Sequence, residues 1–268
     1  MNAASPSGVA RKAQSSAPLR MLARLGFAVN GLLHILIGFL AISVVFGAAG
    51  GSADQSGALA QLAATPGGAF LLWTVVVGLF ALGLWLLISA FLVHGDPKHK
   101  WGQRAANIGK AAAYFFLAAT SVTFAQGGAT SSASSTSDAS AKLLSSPGGV
   151  FILFVAGLLV LAIGGYFVYK GAAKKFTADL AMPSGPAGQA VITLGVVGHI
   201  AKGIVLGVVA VLILVAALTL DPSKSSGLDG SLKTLAGLPF GSIILVAIGI
   251  GLIAYGVYCV ARAWRARL

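Results

Sequence analysis

The chain has 268 residues, of which 57% are hydrophobic and only 9% are charged. Soluble domains carry about 25% charged residues, so this chain has too few to cover a surface that faces water. Its single cysteine, Cys259, excludes an internal disulfide and any zinc or iron–sulfur site built from cysteines. We therefore expect an all-α, polytopic membrane protein that carries no cofactor.

Six apolar runs follow one another along the chain, and each has the roughly 20 residues needed to cross a ~30 Å hydrocarbon core. A basic arm, residues 1–23, precedes the first run and is either a short interfacial helix or an irregular leader. The runs form three repeats of two spans, 24–93, 104–173 and 190–263, which together make one membrane domain. The six spans are predicted at about residues 25–46, 69–93, 105–125, 149–171, 190–218 and 241–261.

The second span of each repeat begins in a similar way, with PGGAFLLW, PGGVFILF or PFGSIILV. Aligned on the proline, the three segments share a glycine two residues later and another seventeen residues later. Proline is tolerated at a helix start, and small residues let membrane helices approach closely, so these positions predict helix entry and helix packing. They are Pro66, Gly68 and Gly83, then Pro147, Gly149 and Gly164, then Pro239, Gly241 and Gly256.

The loop between the two spans of each repeat also follows one plan. Asp54, Asp138 and Asp229 each precede a short amphipathic stretch that ends at the proline. This pattern predicts a short surface helix that is capped by an aspartate or a serine. The predicted unit is a two-helix hairpin with a surface helix in its outer loop, repeated three times in a pseudo-threefold arrangement.

These repeats resemble a known family, the domain of unknown function numbered 1206. The resemblance rests on RLGFAVNGLLHILIGFLAI in the first span, on the LAxxPGG entry to the second span and on GHIAKGIVLG in the third repeat. It covers about residues 24 to 263. The family consists of bacterial membrane proteins common in actinobacteria, so the resemblance implies six spans in a bacterial plasma membrane. It implies no activity.

Basic residues are concentrated before the first span, in alternate connections and after the last span. This is the positive-inside pattern, which predicts that both termini are cytoplasmic. The net charge of +12 is therefore a topology signal first, and it favours anionic membrane lipids as partners. No nucleic-acid partner is expected.

Polar residues recur within the first span of each repeat. Asn30, Lys110 and Lys202 occupy one equivalent position, and offsets of three and four residues add further polar groups on the same helix face. Either these stripes snorkel to the headgroups, or they meet around the pseudo-threefold axis in one basic pocket that binds an anion. The ligand-binding candidates are Asn30, His34, Asn107, Lys110, Tyr114, His199 and Lys202.

The residues missing from the spans disfavour several function classes. The chain has no glutamate, and its aspartates lie between the apolar runs or at their edges, so the spans lack a carboxylate for catalysis or ion coupling. The two histidines within spans do not have metal-ligand spacing. The sequence favours a non-enzymatic protein with a binding, scaffold or accessory role. A transporter of an anionic or amphipathic solute is the alternative, and a membrane-protein partner or a homo-oligomer remains open.

Overall fold

A computed structural model describes residues 16–47, 51–93 and 97–266, and over these ranges the protein is helical with no β-strand. Six of the described helices, α1, α3, α4, α6, α7 and α9, are long and apolar enough to cross a membrane. The helices are α1 Ala17–Val45, α2 Gln55–Ala63, α3 Gly68–Phe91, α4 Pro97–Ala125, α5 Ser132–Leu144, α6 Gly149–Ala172, α7 Gly185–Thr219, α8 Gly227–Ala236 and α9 Gly241–Arg265.

The predicted fold class is confirmed, with six apolar helices in three hairpins and a short helix in each outer loop. The N-terminal arm differs in its details from the sequence interpretation. Residues 17–23 form the first turns of α1, which continues without a break into the first span, and residues 1–15 of the predicted arm lie outside the described residues.

The closest helix pairs lie between repeats, and they connect each repeat to the other two. These pairs are α3 with α4, α6 with α7, and α9 with α1. Glycines make two of the contacts possible: a Cβ added to Gly31 would lie 2.6 Å from the carbonyl oxygen of Gly256, and one added to Gly203 would lie 2.6 Å from that of Gly164. Since real Cβ atoms do not come so close, the backbones can touch only where both residues are glycine.

Contacts within a repeat are smaller, and repeat 2 lacks them. In repeat 1, α1 packs on α3 where Gly26 lies against Gly78, and in repeat 3 α7 packs on α9 where Gly198 lies against Tyr255. Across the described residues of repeat 2, α4 and α6 do not pack extensively on each other. We call the opening between these two helices the lateral gap. Its sides are formed by Ala106, Gly109 and Ala113 on α4 and by Leu159, Ile163 and Tyr166 on α6, all of them exposed.

A tight turn connects each surface helix to the following span. In repeat 1 the Gly68 N–H donates to the Thr65 carbonyl over 2.8 Å, and Gly67 has φ 77° and ψ 12°. This is the geometry of a type II turn, with proline at its second position and a left-handed residue at its third. Pro66 therefore lies two residues before Gly68, the first helical residue, and outside the helix itself. Repeat 2 has the same turn at Gly148, and repeat 3 has Phe240 at the left-handed position with φ 61°.

Hydrogen bonds join the three outer loops at the end of the bundle that we call the capped end. Ala53 N–H donates to Asp229 Oδ1 over 2.8 Å, which links repeats 1 and 3. Ser132 N–H donates to Ser56 Oγ over 3.2 Å, which links repeats 1 and 2, and Ser137 Oγ–H donates to the Pro222 carbonyl over 3.1 Å, which links repeats 2 and 3. The capped end is thus tied together all the way round.

The prediction that an aspartate caps each surface helix agrees with the structure in repeat 1 only. Asp54 caps α2 and accepts from Gly57 N–H over 3.0 Å. Helix α5 begins earlier than predicted, with Ser131 as its cap, so Asp138 lies within it. Asp229 lies in the first turn of α8, where it accepts the bond from repeat 1 and pairs with Lys233. Its role in joining the loops replaces the expected capping role.

Candidate functional site

Polar side chains of α1 and α7 meet inside the bundle. His34 Nδ1 lies 2.8 Å from the Asn30 carbonyl oxygen, and His34 Nε2 lies 3.1 Å from Lys202 Nζ. Because a carbonyl can only accept, His34 carries its proton on Nδ1, and Nε2 accepts from the Lys202 ammonium. The polar stripes of α1 and α7 therefore meet inside the bundle. His34 and Lys202 do not extend separately to the lipid headgroups.

Aromatic rings surround the two basic residues of α7. The Lys202 ammonium lies 4.3 Å from the centroid of Tyr255 and 5.1 Å from that of Phe167, within cation–π range. His199 is buried, is stacked on Phe176 with centroids 4.9 Å apart, and donates from Nδ1 to the Gly195 carbonyl over 2.7 Å. No carboxylate of the described residues lies within ion-pair distance of Lys202.

Among the described residues, the acid that lies near this cluster is Asp179, in a short 3₁₀ helix, Lys175–Asp179, that follows α6. Its carboxylate lies 2.8 Å from Lys170 Nζ and 3.5 Å from Arg262 Nη2. Burial alone would raise the pKa of the Asp179 carboxyl, but the charges of Arg262, Lys170 and Lys110 and the Lys170 hydrogen bond lower it below its ordinary value. Asp179 thus stays ionised and connects α6 to α9.

Two buried hydrogen-bond donors next to this ion pair lack a partner among the described residues. They are the Tyr258 hydroxyl and the Arg262 Nε, one turn apart on α9. Tyr258 is completely buried. Unpaired buried donors are rare because each costs about 1–3 kcal/mol, so their occurrence together beside a basic cluster favours an acceptor-rich ligand at this position.

The stripe on α4 lies farther from the Lys202 cluster. Lys110 is exposed at the lateral gap, and its charge is within electrostatic reach of Lys170, Arg262 and Asp179. Tyr114 is half-buried and packs beside Phe27. Asn107 is half-buried. The structure therefore brings Asn30, His34 and Lys202 together with His199 nearby, and it places Lys110 at the edge of the same region.

Comparisons with known proteins agree with the repeat architecture. Residues 25–92, 105–174 and 197–266 each match the family described as Domain of Unknown Function (DUF1206). The chain belongs to this family. It is 32% identical over 251 residues to the uncharacterized protein YxxB of Bacillus subtilis (strain 168), and the match covers 91% of this chain and 90% of that one. No solved structure matches it.

Five more residues lie at the site of this DUF1206 protein, although their positions in the sequence indicate topology, a connection or an apolar span. Lys170 and Arg262 belong to the basic clusters that predict topology, and Asp179 lies in a connection between spans. Phe167 and Tyr255 occur in apolar runs, where an aromatic residue is unremarkable. These five residues lie close to Lys202 and His199 because α6 and α9 both pack against α7 in the bundle.

The predicted helix-entry residues lie in the turns of the hairpins, and the predicted packing residues lie where helices touch. Gly68, Gly149 and Gly241 each begin a span so close to the preceding carbonyls that a Cβ would collide with them. Gly164 and Gly256 face Gly203 and Gly31, and a Cβ on Gly83 would meet the Phe115 ring at 2.8 Å. The three prolines stand in the turns before the spans.

Proposed function

We propose that this protein is a non-enzymatic membrane protein that binds an anionic group, a lipid headgroup or a small anion, at the end of the bundle opposite the capped end. The observation that carries the proposal is the pair of unpartnered buried donors, the Tyr258 hydroxyl and the Arg262 Nε, beside an excess of positive charge. A phosphate group has the acceptor oxygens that both donors require.

The local charge balance supports an anion. Lys110, Lys170, Lys202 and Arg262 surround the region, and Asp179 is the only carboxylate of the described residues that pairs with any of them. A lysine or arginine at the centre of a span costs about 2.5–3.5 kcal/mol on insertion scales. A bound anion would offset part of this cost, which gives the cluster a physical reason to exist inside a membrane.

The location of the cluster supports a lipid-facing role. Lys170 and Arg262 lie near the ends of α6 and α9 that are opposite the capped end, and Lys110 and Lys202 lie nearer the middle of α4 and α7. By the positive-inside rule this end faces the cytoplasm, so we place both termini in the cytoplasm and the protein in the bacterial plasma membrane. The headgroups of anionic lipids are concentrated in that leaflet.

The alternative function, a transporter of an anionic or amphipathic solute, needs the site to open toward the other side as well. The capped end is tied by hydrogen bonds between all three repeats, and the core beneath it is apolar, with Leu72, Leu79 and Leu245 buried together. A binding role therefore fits the arrangement better. Assembly with a membrane-protein partner or a second copy is compatible with it.

Native mass spectrometry of the protein extracted from its own membrane tests the proposal. We expect the wild type to retain a stoichiometric anionic adduct, and a variant with Lys110→Ala and Lys202→Ala to lose it. A matched control, Lys142→Ala with Lys224→Ala, removes the same charge from exposed positions at the capped end and should retain the adduct. Equal retention by both double variants would refute an anion site at this cluster.

A further inference from the structure

The lateral gap separates helices that the other repeats hold together. On α6, Ile163 is 49% and Tyr166 52% exposed, whereas the equivalent residues of repeat 3, Tyr255 and Tyr258, are 7% and 0% exposed. The same contrast holds on α4, where Gly109 is exposed and its equivalents Val29 and Ala201 are buried. The exposed residues of repeat 2 therefore occupy positions that face the bundle interior in repeats 1 and 3.

The sequence explains why only repeat 2 is open. The residues that meet in repeat 1, Gly26 and Gly78, correspond to Ala106 and Leu159 in repeat 2. Repeat 3 keeps glycine at both positions, Gly198 and Gly251. A leucine side chain at this position is incompatible with the close approach seen between Gly26 and Gly78 in repeat 1, because membrane helices approach closely only over small residues.

The open face of α4 does not extend to the capped end. Nearer the capped end α4 is packed again, since Ala118, Ser121 and Phe124 are all buried. From Ala106 to Ala113 the open face of α4 is about 10 Å long, at 1.5 Å per residue. That length fits within the hydrocarbon of one leaflet, which is about 15 Å thick in a ~30 Å core.

We propose that the lateral gap is a lipid seat, in which an acyl chain lies between α4 and α6 while its anionic headgroup binds Lys110, Lys170 and Arg262. This inference rests on the proposed function and deepens it, because it names the ligand as a membrane lipid rather than a soluble anion. The gap is apolar along Leu159 and Ile163, and Lys110 lies beside it on α4, so it has the two-part chemistry of an anionic phospholipid. Lys170 and Arg262, held together by Asp179, lie near the ends of α6 and α9 and within electrostatic reach of Lys110.

A matched pair of glycine substitutions tests the seat. A Cβ on Gly109 or on Gly165 would meet no atom within 4 Å, so tryptophan fits at either position, but only Gly109 lies in the gap. Two probes are titrated, phosphatidylglycerol by native mass spectrometry and glycerophosphoglycerol, the same lipid without its acyl chains, by calorimetry. We expect Gly109→Trp to weaken lipid binding about tenfold and Gly165→Trp to leave it unchanged.

The outcomes separate the two proposals. Equal phosphatidylglycerol binding by the two tryptophan variants overturns the lipid seat, while the anion site stands if the Lys110→Ala, Lys202→Ala variant still loses the lipid. Binding of glycerophosphoglycerol as tight as that of the lipid also overturns the seat. If the wild type binds neither probe, the proposed function itself fails.

Photolabelling gives a readout that does not depend on a folded variant. Phosphatidylglycerol with a diazirine on its acyl chain is bound to the wild type, irradiated and mapped by peptide sequencing. Labels concentrated on residues 106–113 and 159–166 support the seat. Labels spread equally over the corresponding segments of repeats 1 and 3 contradict it.

Discussion

Repeat 2 differs from repeats 1 and 3 in packing although all three share one plan. Each has the same turn before its second span and a short helix over the capped end, and each contributes to the cycle of contacts between repeats. In repeats 1 and 3 the two spans of the hairpin also pack on each other, whereas in repeat 2 they stand apart. A repeated architecture is thus compatible with one copy being open, because contacts between repeats hold every span in place.

The most severe test of this comparison removes an aromatic residue at one equivalent position in two repeats. Tyr258 is fully buried, whereas its counterpart Tyr166 is 52% exposed. We expect Tyr258→Ala to lower the free energy of unfolding by about 3 kcal/mol through the cavity it leaves, and Tyr166→Ala to lower it by less than about 1 kcal/mol. Unfolding in mixed micelles with increasing denaturing detergent measures both. Equal losses would mean that repeat 2 is as closed as repeat 3.

A reciprocal exchange tests the residue pair that we hold responsible for the gap. Gly78→Leu gives repeat 1 the side chain of repeat 2, and a Cβ there would lie 2.9 Å from Val29 Cγ2. We expect it to cost about 2 kcal/mol through overpacking between α1 and α3. Leu159→Gly makes the opposite change on an exposed face, and only the helix-propensity penalty of up to about 1 kcal/mol should remain. The same unfolding assay compares the two variants, and a larger cost for Leu159→Gly would show that Leu159 makes packing contacts.

Asp179 attaches α6 to repeat 3, which substitutes for the missing contact between α6 and α4. Its folded-state pKa is depressed, so the stability it contributes is present above its unfolded pKa of about 3.9 and is lost as the pH falls through the folded value. Asp179→Asn should therefore lower the Tm at pH 7 by about 2–4 °C, as expected for about 1 kcal/mol, and this loss should shrink as the pH falls through the folded value. Thermal scans at pH 7 and at a series of acidic pH values, with Asp138→Asn on the exposed face of α5 as control, check this. A Tm loss that does not shrink as the pH falls would assign the effect to packing.

The smallest effect concerns the turn in which repeat 3 departs from the other two. Phe240 is left-handed at φ 61° where Gly67 and Gly148 stand in repeats 1 and 2, and its side chain is exposed. A non-glycine residue in this region costs about 1–2 kcal/mol, so we expect Phe240→Gly to stabilise the protein by about 1 kcal/mol. Gly148→Phe should destabilise it by a similar amount. No gain from Phe240→Gly in the unfolding assay would mean that the phenyl ring contributes contacts equal to the strain.

The sequence predicts the fold well because its main signals are local. Apolar runs of membrane length, the proline turns and the alternating charges can each be recognised within a short window. The six predicted spans end within four residues of the helices, although α1 and α4 begin eight residues before the predicted spans. Which helices pack against each other in the bundle could not be predicted in this way. The contact between α1 and α9 joins residues from opposite ends of the chain, and it depends on which glycine faces which.

The candidate site could be predicted only in part for the same reason. Asn30, His34 and Lys202 are polar residues within apolar runs, so they are visible in the sequence as exceptions. Tyr258, Arg262 and Asp179 are not exceptions in their own segments, and they matter because neighbouring helices bury or pair them. The lateral gap depends on a single leucine, Leu159, in a run where leucine is common.

The pairing of the first span with the last has a consequence for biogenesis. Helix α1 leaves the ribosome first, yet its largest partner, α9, is synthesised last, and the contacts of Gly31 with Gly256 and of Gly38 with Gly249 form only then. Until α9 is in place, the face of α1 that carries Gly31 and Gly38 lacks its packing partner. A chain that terminates before the final span therefore leaves the contact surface of its first span uncovered as well as its third repeat incomplete.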